Sequence, residues 1–293
     1  MNKKSGFVAI IGRPNVGKST LLNRLAGEKL ASISPKPQTT RDQVRGIHSD
    51  ERGQIVFVDT PGMHDPRDLL GNWMMHEAKR SLEDADLVLW LVLPEKQHSY
   101  EKKILELVKQ LTVPVFLLVN QVDRFPKEQI LPVLEFYNAA CSFKELIPIS
   151  ARTGIQVDLL LEKVFENLPE GEAYFPEDQV SDQTVRFTVA EMIREKLFHF
   201  TEQEIPYATA VVIESFDESS ATLVKIQATI MVERDSQKKI VIGKGGELLK
   251  RVGTAARLDM EQFLQKKVFL QLWVKVLPDW KRDDKAMKDL GYS

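Results

Sequence analysis

The chain has 293 residues, 28% charged and 43% hydrophobic, with a formal net charge of −2, which is ample for two ordinary globular domains. A single cysteine, Cys141, excludes an internal disulfide framework and a cysteine-ligated zinc cluster. Charge is unevenly placed: residues 238–288 hold thirteen Lys or Arg against six Asp or Glu, and this excess of +7 leaves −9 for the rest and suggests a polyanion partner.

Residues 7–11 are an uninterrupted apolar run, as expected of a buried parallel strand. The run is shorter than a signal-peptide core or a membrane span, so an intracellular protein is expected. It leads into Gly12-Arg13-Pro14-Asn15-Val16-Gly17-Lys18-Ser19, the G-x-x-x-x-G-K-[ST] pattern of a phosphate-binding loop. Thr20 then opens an apolar-faced helix over residues 20–25 with Leu21, Leu22 and Leu25 on one side. Gly12 and Gly17 permit positive φ, so backbone N–H groups can converge on a polyphosphate. Lys18 reaches the β/γ-phosphates in such loops, and the Ser19 hydroxyl ligates Mg²⁺. Residues 28–42, with Pro35, Pro37 and Thr40, read as a long irregular loop. A strand over 54–59 ends in Asp59-Thr60-Pro61-Gly62. A carboxylate at such a strand end faces the ligand crevice, which makes Asp59, with Ser19 and Thr40, the expected magnesium set.

Helices over 69–85, 100–111, 130–143 and 157–168 alternate with strands over 87–93, 113–119 and 146–149. The fold expected is a doubly wound, mostly parallel α/β sheet. Asn120 and Asp123 follow one strand and Ser150-Ala151 another. A carboxylate at 123 can accept from the N1–H and 2-amino group of guanine, and adenine has no such donor pair. Ser150-Ala151 would offer a backbone N–H to the guanine carbonyl.

These five ordered motifs resemble those of a Ras-like GTPase domain. The resemblance puts Gly12 to Thr20, Asp59 to Gly62, Asn120, Gln121, Asp123, Ser150 and Ala151 at the nucleotide, GTP or GDP with Mg²⁺. Two positions depart from it. Gln121 stands where the base motif usually has lysine, and Met63 stands where Ras-like proteins place a water-orienting glutamine. Related GTPases with an apolar residue there use a potassium ion, whose ligand would be Asn15. The catalytic set so implied is Asn15, Lys18, Thr40 and Gly62. His64 reads as a solvated loop residue and Arg41 as a surface or packing residue.

Composition changes after residue 180. A helix over 185–200, strands over 207–216 and 221–233, a helix over 247–265 and a strand over 268–277 surround Gly243-Lys244-Gly245-Gly246. This order resembles a type II KH domain, whose G-x-x-G loop clamps about four nucleotides of single-stranded backbone. Ile242, Gly243, Lys244, Gly245, Gly246 and Lys250 are the expected RNA-binding residues. The groove walls are expected from Ile240, Ile242, Leu249 and the strand from 221.

The domain division expected is 1–172, a linker at 173–184, and 185–293. The combination resembles the bacterial Era-type GTPases. That resemblance implies an rRNA-binding switch for the 3′ region of small-subunit rRNA and for 30S assembly. It also implies a cytoplasmic protein with peripheral inner-membrane association, and no DNA partner. Two other classes compete: a constitutive RNA-binding protein with a structural G domain, and a metabolic P-loop phosphotransferase.

Overall fold

A computed structural model describes residues 3–32, 41–62, 68–95, 99–202 and 204–292. Contacts divide the chain into two units: one runs to Asp182 without the segment Arg67–Trp73, and the other joins that segment to Gln183–Ser293.

The first unit runs β1 (Lys4–Ile11), α1 (Lys18–Ala26), β2 (Val44–Asp50), β3 (Gly53–Asp59), α2 (Leu69–Glu83, of which the residues to Trp73 count with the other unit), β4 (Leu87–Val92), α3 (Ser99–Val108), β5 (Val115–Val119), α4 (Lys127–Ala140), β6 (Glu145–Pro148) and α5 (Val157–Asn167). The sheet order is β2-β3-β1-β4-β5-β6. All neighbours are parallel except β2, which runs antiparallel to β3 from Val44 opposite Asp59 to Asp50 opposite Gly53. Strands β3, β4 and β5 are buried along their whole length, which explains their unbroken apolar runs. The chain leaves β1 for neighbours on both sides, so the crevice at its carboxyl end is where such sheets take ligands. Trp90 anchors one face of the core, edge-on to Tyr137 at 5.1 Å between ring centroids.

Strand β2 was not expected. Its sequence, Val-Arg-Gly-Ile-His-Ser-Asp, has neither an apolar run nor strict alternation: Val44, Gly46 and Ile47 are buried and the other residues of this edge strand are half-buried.

Residues 173–184, expected as a linker, make specific bonds to this unit. Ile47 N–H donates to Val180 O at 2.9 Å, Ser181 Oγ donates to Arg45 O at 2.7 Å, and Arg45 pairs with Asp182. Buried Gln54 accepts from the N–H groups of Tyr174 and Phe175, and its amide nitrogen donates to Phe175 O and Ser49 Oγ.

The second unit runs α6 (Val185–Phe200), α7 (Ile205–Ala208), β7 (Ala210–Asp217), β8 (Leu223–Val232), α8 (Asp235–Ile242), α9 (Glu247–Leu264), β9 (Lys267–Val276) and α10 (Asp284–Asp289). Thr184 caps α6 by accepting from Phe187 N–H. The sheet order is β7-β8-β9, with β7 antiparallel and β9 parallel to β8. Ile193 and Leu197 of α6, Val241 of α8, and Val252, Ala256 and Met260 of α9 pack with Ile226, Ala228 and Ile230. Helix α8 corrects the expectation around 240–242: Ile240 is exposed, and Ile242 packs against the core at a helix end.

Gln54→Ala removes every bond that the side chain makes to residues 174–175, at about 1–3 kcal/mol per buried group left unpaired. Amide exchange at Tyr174 and Phe175 is expected to accelerate about tenfold or more, read by hydrogen–deuterium exchange. Unchanged protection would show that other contacts hold this strap.

Candidate functional site

The loop after β1 has the backbone that its glycines require. Gly12 and Gly17 have φ of 149° and 101°, and a Cβ at Gly12 would lie 2.6 Å from Leu91 O. Gly17 is the N-cap of α1, and no side chain caps that end. The N-terminus of α1 thus opens at the crevice, the arrangement that binds phosphate. Asn15 is exposed with φ of 67°, at the outer bend of the loop.

Lys18 is 6% exposed and folds over the loop, donating to Gly12 O at 3.1 Å and Arg13 O at 3.2 Å. Burial lowers its pKa to about 8, opposed by the Asp59 carboxylate and assisted by Arg13. Ser19 Oγ donates to Asp59 Oδ2 at 2.6 Å, which brings together two hard oxygen donors suited to Mg²⁺. Thr40, the third expected donor, lies outside the described residues, as do Met63 and His64.

Other predicted residues have different work. The Arg13 guanidinium pairs with Glu95 and with buried Glu101, so its side chain anchors the loop from outside. Thr60 is fully buried and bonds Ile10 O through its hydroxyl at 2.8 Å, tying β3 to β1. A Cβ at Gly62 would lie 3.0–3.1 Å from Pro14, so Gly62 packs flat on the phosphate loop. Val16 and Pro61 are buried, and Pro14 and Thr20 are half-buried beside the loop. Arg41 is 1% exposed, which favours the packing alternative over the surface one.

At the base-recognition end, Asn120 is 1% exposed and bonded on both sides of its amide. Its Nδ2 donates to Val16 O at 2.7 Å and its Oδ1 accepts from Ala151 N–H at 2.9 Å. It is a brace between two loops, and the N–H expected to meet guanine is engaged by it. Asp123, expected at the guanine, lies beside these loops with both carboxylate oxygens bonded. Ser150 Oγ donates to its Oδ1 at 2.7 Å and Arg152 Nη2 to its Oδ2 at 2.5 Å, and these bonds hold its carboxyl below the usual carboxylate range. Gln121 Nε2 reaches Asn15 O at 3.4 Å, so the shorter side chain still spans to the phosphate loop.

Arg24 was missed. Its Nε donates to Ala151 O at 2.5 Å and its guanidinium also reaches Arg152 O, clamping the base loop onto α1. A Cβ at Gly154 would lie 3.1 Å from Arg24 Nη1. Its three-residue step from Leu21 on the apolar face was the one sequence signal for an inward cation, and that step alone is ambiguous.

In the second unit, Gly243, Gly245 and Gly246 have φ of 75°, 61° and 82°. They join α8 to α9 through a short 3₁₀ turn, Lys244–Gly246. Beside them lies a groove of about 370 Å³ lined by Gly246, Leu249, Lys250, Gly253, Thr254, Arg257, Leu270 and Leu272. The strand wall is therefore β9, not the strand from 221, because β9 is the edge strand beside α9. A Cβ at Gly253 would meet Leu272 at 3.3 Å, so glycine keeps helix and strand close.

These features define a P-loop protein with a guanine-type base pocket and a G-x-x-G nucleic-acid unit. Residues 7–121 match the family described as 50S ribosome-binding GTPase, and residues 204–281 match the KH domain family. The chain is 50% identical to GTPase Era of Geobacter metallireducens over 292 residues, covering 99% of this chain and 98% of that protein. It is 48% identical to GTPase Era of Syntrophus aciditrophicus over 292 residues, covering 99% and 95%. A crystal structure of an Aquifex aeolicus Era variant bound to GDP.AlF4- is 40% identical, with a TM-score of 0.95 and 99% of each chain covered. The crystal structure of Era in complex with MgGDPNP and nucleotides 1506–1542 of 16S ribosomal RNA gives the same identity, TM-score and coverage. The chain belongs to the Era family of GTPases.

The depressed pKa of Lys18 has a consequence for binding. Its ammonium deprotonates as pH rises through about 8, well below the ordinary 10.5, and a bound polyphosphate restores the charged form. Nucleotide binding is therefore expected to take up a proton near pH 8–9 and to weaken as pH rises through that window, read by calorimetry in two buffers of different ionisation enthalpy. Affinity independent of pH from 7 to 9 would contradict the assignment.

Proposed function

We propose that this chain is a GTP-hydrolysing switch that binds single-stranded RNA of the 3′ region of small-subunit rRNA and assists 30S assembly. The observation that carries this reading is the full-length likeness to an Era structure holding both MgGDPNP and 16S rRNA. Within this chain, the Ser19–Asp59 pair and the Asp123 carboxylate support it in one unit, and the glycine turn with its cationic groove supports it in the other.

In this reading the backbone of residues 12–19 holds the β/γ-phosphates, with the Lys18 ammonium turning from Gly12 O and Arg13 O towards them. Ser19 and Asp59, with Thr40, hold Mg²⁺, which when bound neutralises charge on the phosphates. Asp123 selects guanine, and Ser150 keeps that carboxylate oriented. Asn120 and Gln121 brace the loops, and Gly62 leaves room beside Pro14. Residues 1–172 form the GTPase domain, 173–184 the connection and 185–293 the KH domain. Gly243, Lys244, Gly245 and Gly246 clamp the RNA backbone at the N-terminus of α9, with Lys250 on the groove wall.

Hydrolysis is read as potassium-assisted, with Asn15 as the protein ligand. The exposed outward bend at Asn15 and the apolar Met63 support this. The chain works in the cytoplasm, with contact to the inner face of the membrane as a finer reading. No helix among the described residues is long and apolar enough to cross a membrane.

Asp123→Asn is expected to shift nucleotide preference from guanosine to xanthosine forms by at least about tenfold, measured by competition binding, since a recognition pair is worth a factor of that size or more. Gly245 has φ of 61° with open space around it, so Gly245→Asp adds charge to the clamp and left-handed backbone strain, but displaces no neighbouring atom. It is expected to weaken RNA binding about tenfold, while the nucleotide affinity of the other unit stays the same. Hydrolysis in KCl should exceed that in NaCl and lose this difference in Asn15→Ala. Equal rates in both salts would remove potassium from the mechanism.

A further inference from the structure

Strand β9 has two chemical faces. Its even-numbered residues point to the helices: Val268 and Val274 are buried, and Leu270 and Leu272 line the groove. Its odd-numbered residues Lys267, Phe269, Gln271, Trp273 and Lys275 form the opposite face. Phe269 is 52% exposed and Trp273 42%, which is unusual for rings on the strand next to a nucleic-acid groove. The register with β8 sets Lys225 beside Phe269, Gln227 beside Gln271 and Thr229 beside Trp273. Gln227 Nε2 donates to Gln271 Oε1 at 3.2 Å, so an amide pair lies between the two rings.

We propose that this outer face of β9 is a stacking platform for single-stranded RNA that continues from the groove over the edge of the sheet, with bases on Phe269 and Trp273. The inference rests on the RNA-binding reading above and extends it to a surface outside the G-x-x-G clamp.

Three observations favour RNA. The first is continuity: β9 is an edge strand, and it is also the wall of the groove, so a chain leaving the groove needs to pass only one strand. The second is spacing. Four residues of strand separate the rings by about 13 Å, which leaves room for a further base over the Gln227–Gln271 amides, whose donors and acceptors suit a base edge. Sheet-borne aromatics that stack two or three bases are an established way of holding single strands. The third is charge. Lys225, Lys267 and Lys275 frame the rings, opposed by Glu214, which lies 3.7 Å from Lys275, by Asp217 opposite Lys225, and by Glu261, 3.8 Å from Lys267. The three lysines and three carboxylates cancel, which fits a platform that holds bases by stacking while Lys250 and Arg257 in the groove attract the backbone.

Packing accounts for only part of the pattern. Trp273 is paired in register with Thr229, which is 1% exposed, but Phe269 is paired with a lysine and leaves half its surface in water. A membrane-inserting patch would present contiguous apolar surface, and here the amide pair between the rings would lose its water in hydrocarbon.

The test uses the full chain and fluorescence-labelled single-stranded RNAs from the 3′ region of small-subunit rRNA. One is about four nucleotides long, enough for the groove alone, and one is extended to about ten. Phe269→Ala and Trp273→Ala are each expected to weaken the longer RNA about tenfold and to leave the shorter one unchanged, and Trp273→Phe is expected to restore most of the loss. Unchanged affinity for the longer RNA overturns the platform. Equal losses for both lengths also overturn it, because they indicate damage to the groove. Trp273-dependent binding to vesicles of anionic phospholipid, without an effect on RNA, would reassign the face to a membrane surface. If Gly245→Asp leaves both RNAs bound as before, the clamp reading fails, whatever the ring variants do.

Discussion

The nucleotide site depends on one buried amide. Asn120 is 1% exposed and sits at the end of β5, with one end bonded to Val16 O in the phosphate loop and the other to Ala151 N–H in the base loop. Neither of those backbone groups has water to fall back on, so losing the amide would leave each unpaired at about 1–3 kcal/mol. The same amide explains Gly17 from the other side, since a Cβ there would lie 2.3 Å from Asn120 Nδ2. One side chain thus sets how far the phosphate end stands from the base end, and that distance is the length of the ligand that fits. Arg24 adds a second tie from α1 to the base loop, and Gln121 a weaker one to the phosphate loop.

Around this frame, electrostatics are held in tension. Lys18 is buried among backbone carbonyls that only partly replace its water, and the Asp59 carboxylate offsets part of that loss. A polyphosphate would complete the compensation, which makes the free loop a high-energy binding surface for dianionic groups. Arg13 does not compete for this role, because Glu95 and Glu101 hold it outside the loop. Asp123 is kept ionised by its bonds from Ser150 and Arg152, so the base pocket presents an acceptor at neutral pH.

The second unit relies on small residues in place of charge. Positive φ at Gly243, Gly245 and Gly246 turns the chain sharply into α9, and Gly253 lets that helix approach Leu272. The groove is thus bounded by a helix and an edge strand whose two faces differ in kind. Its inner face is aliphatic and its outer face carries the exposed rings.

The sequence by itself determined the chemistry that is local in the chain. The phosphate loop, Asp59, Asp123, Ser150 and the G-x-x-G turn each follow a strand or helix end, where a short run of residue types dictates backbone form. The buried strands were legible because both their faces are apolar, so β3, β4 and β5 appear as unbroken runs. Strand β2 was hidden because an edge strand carries mixed residues, and α8 because its polar first half and apolar end do not show helical period. Tertiary structure alone decided which long-range partners share a bond. That Asn120 braces two loops, that Arg24 clamps, and that β9 and not β8 walls the groove all follow from sheet order and register. Those are set by burial across the whole unit, a sum over many distant residues that no short stretch of sequence contains.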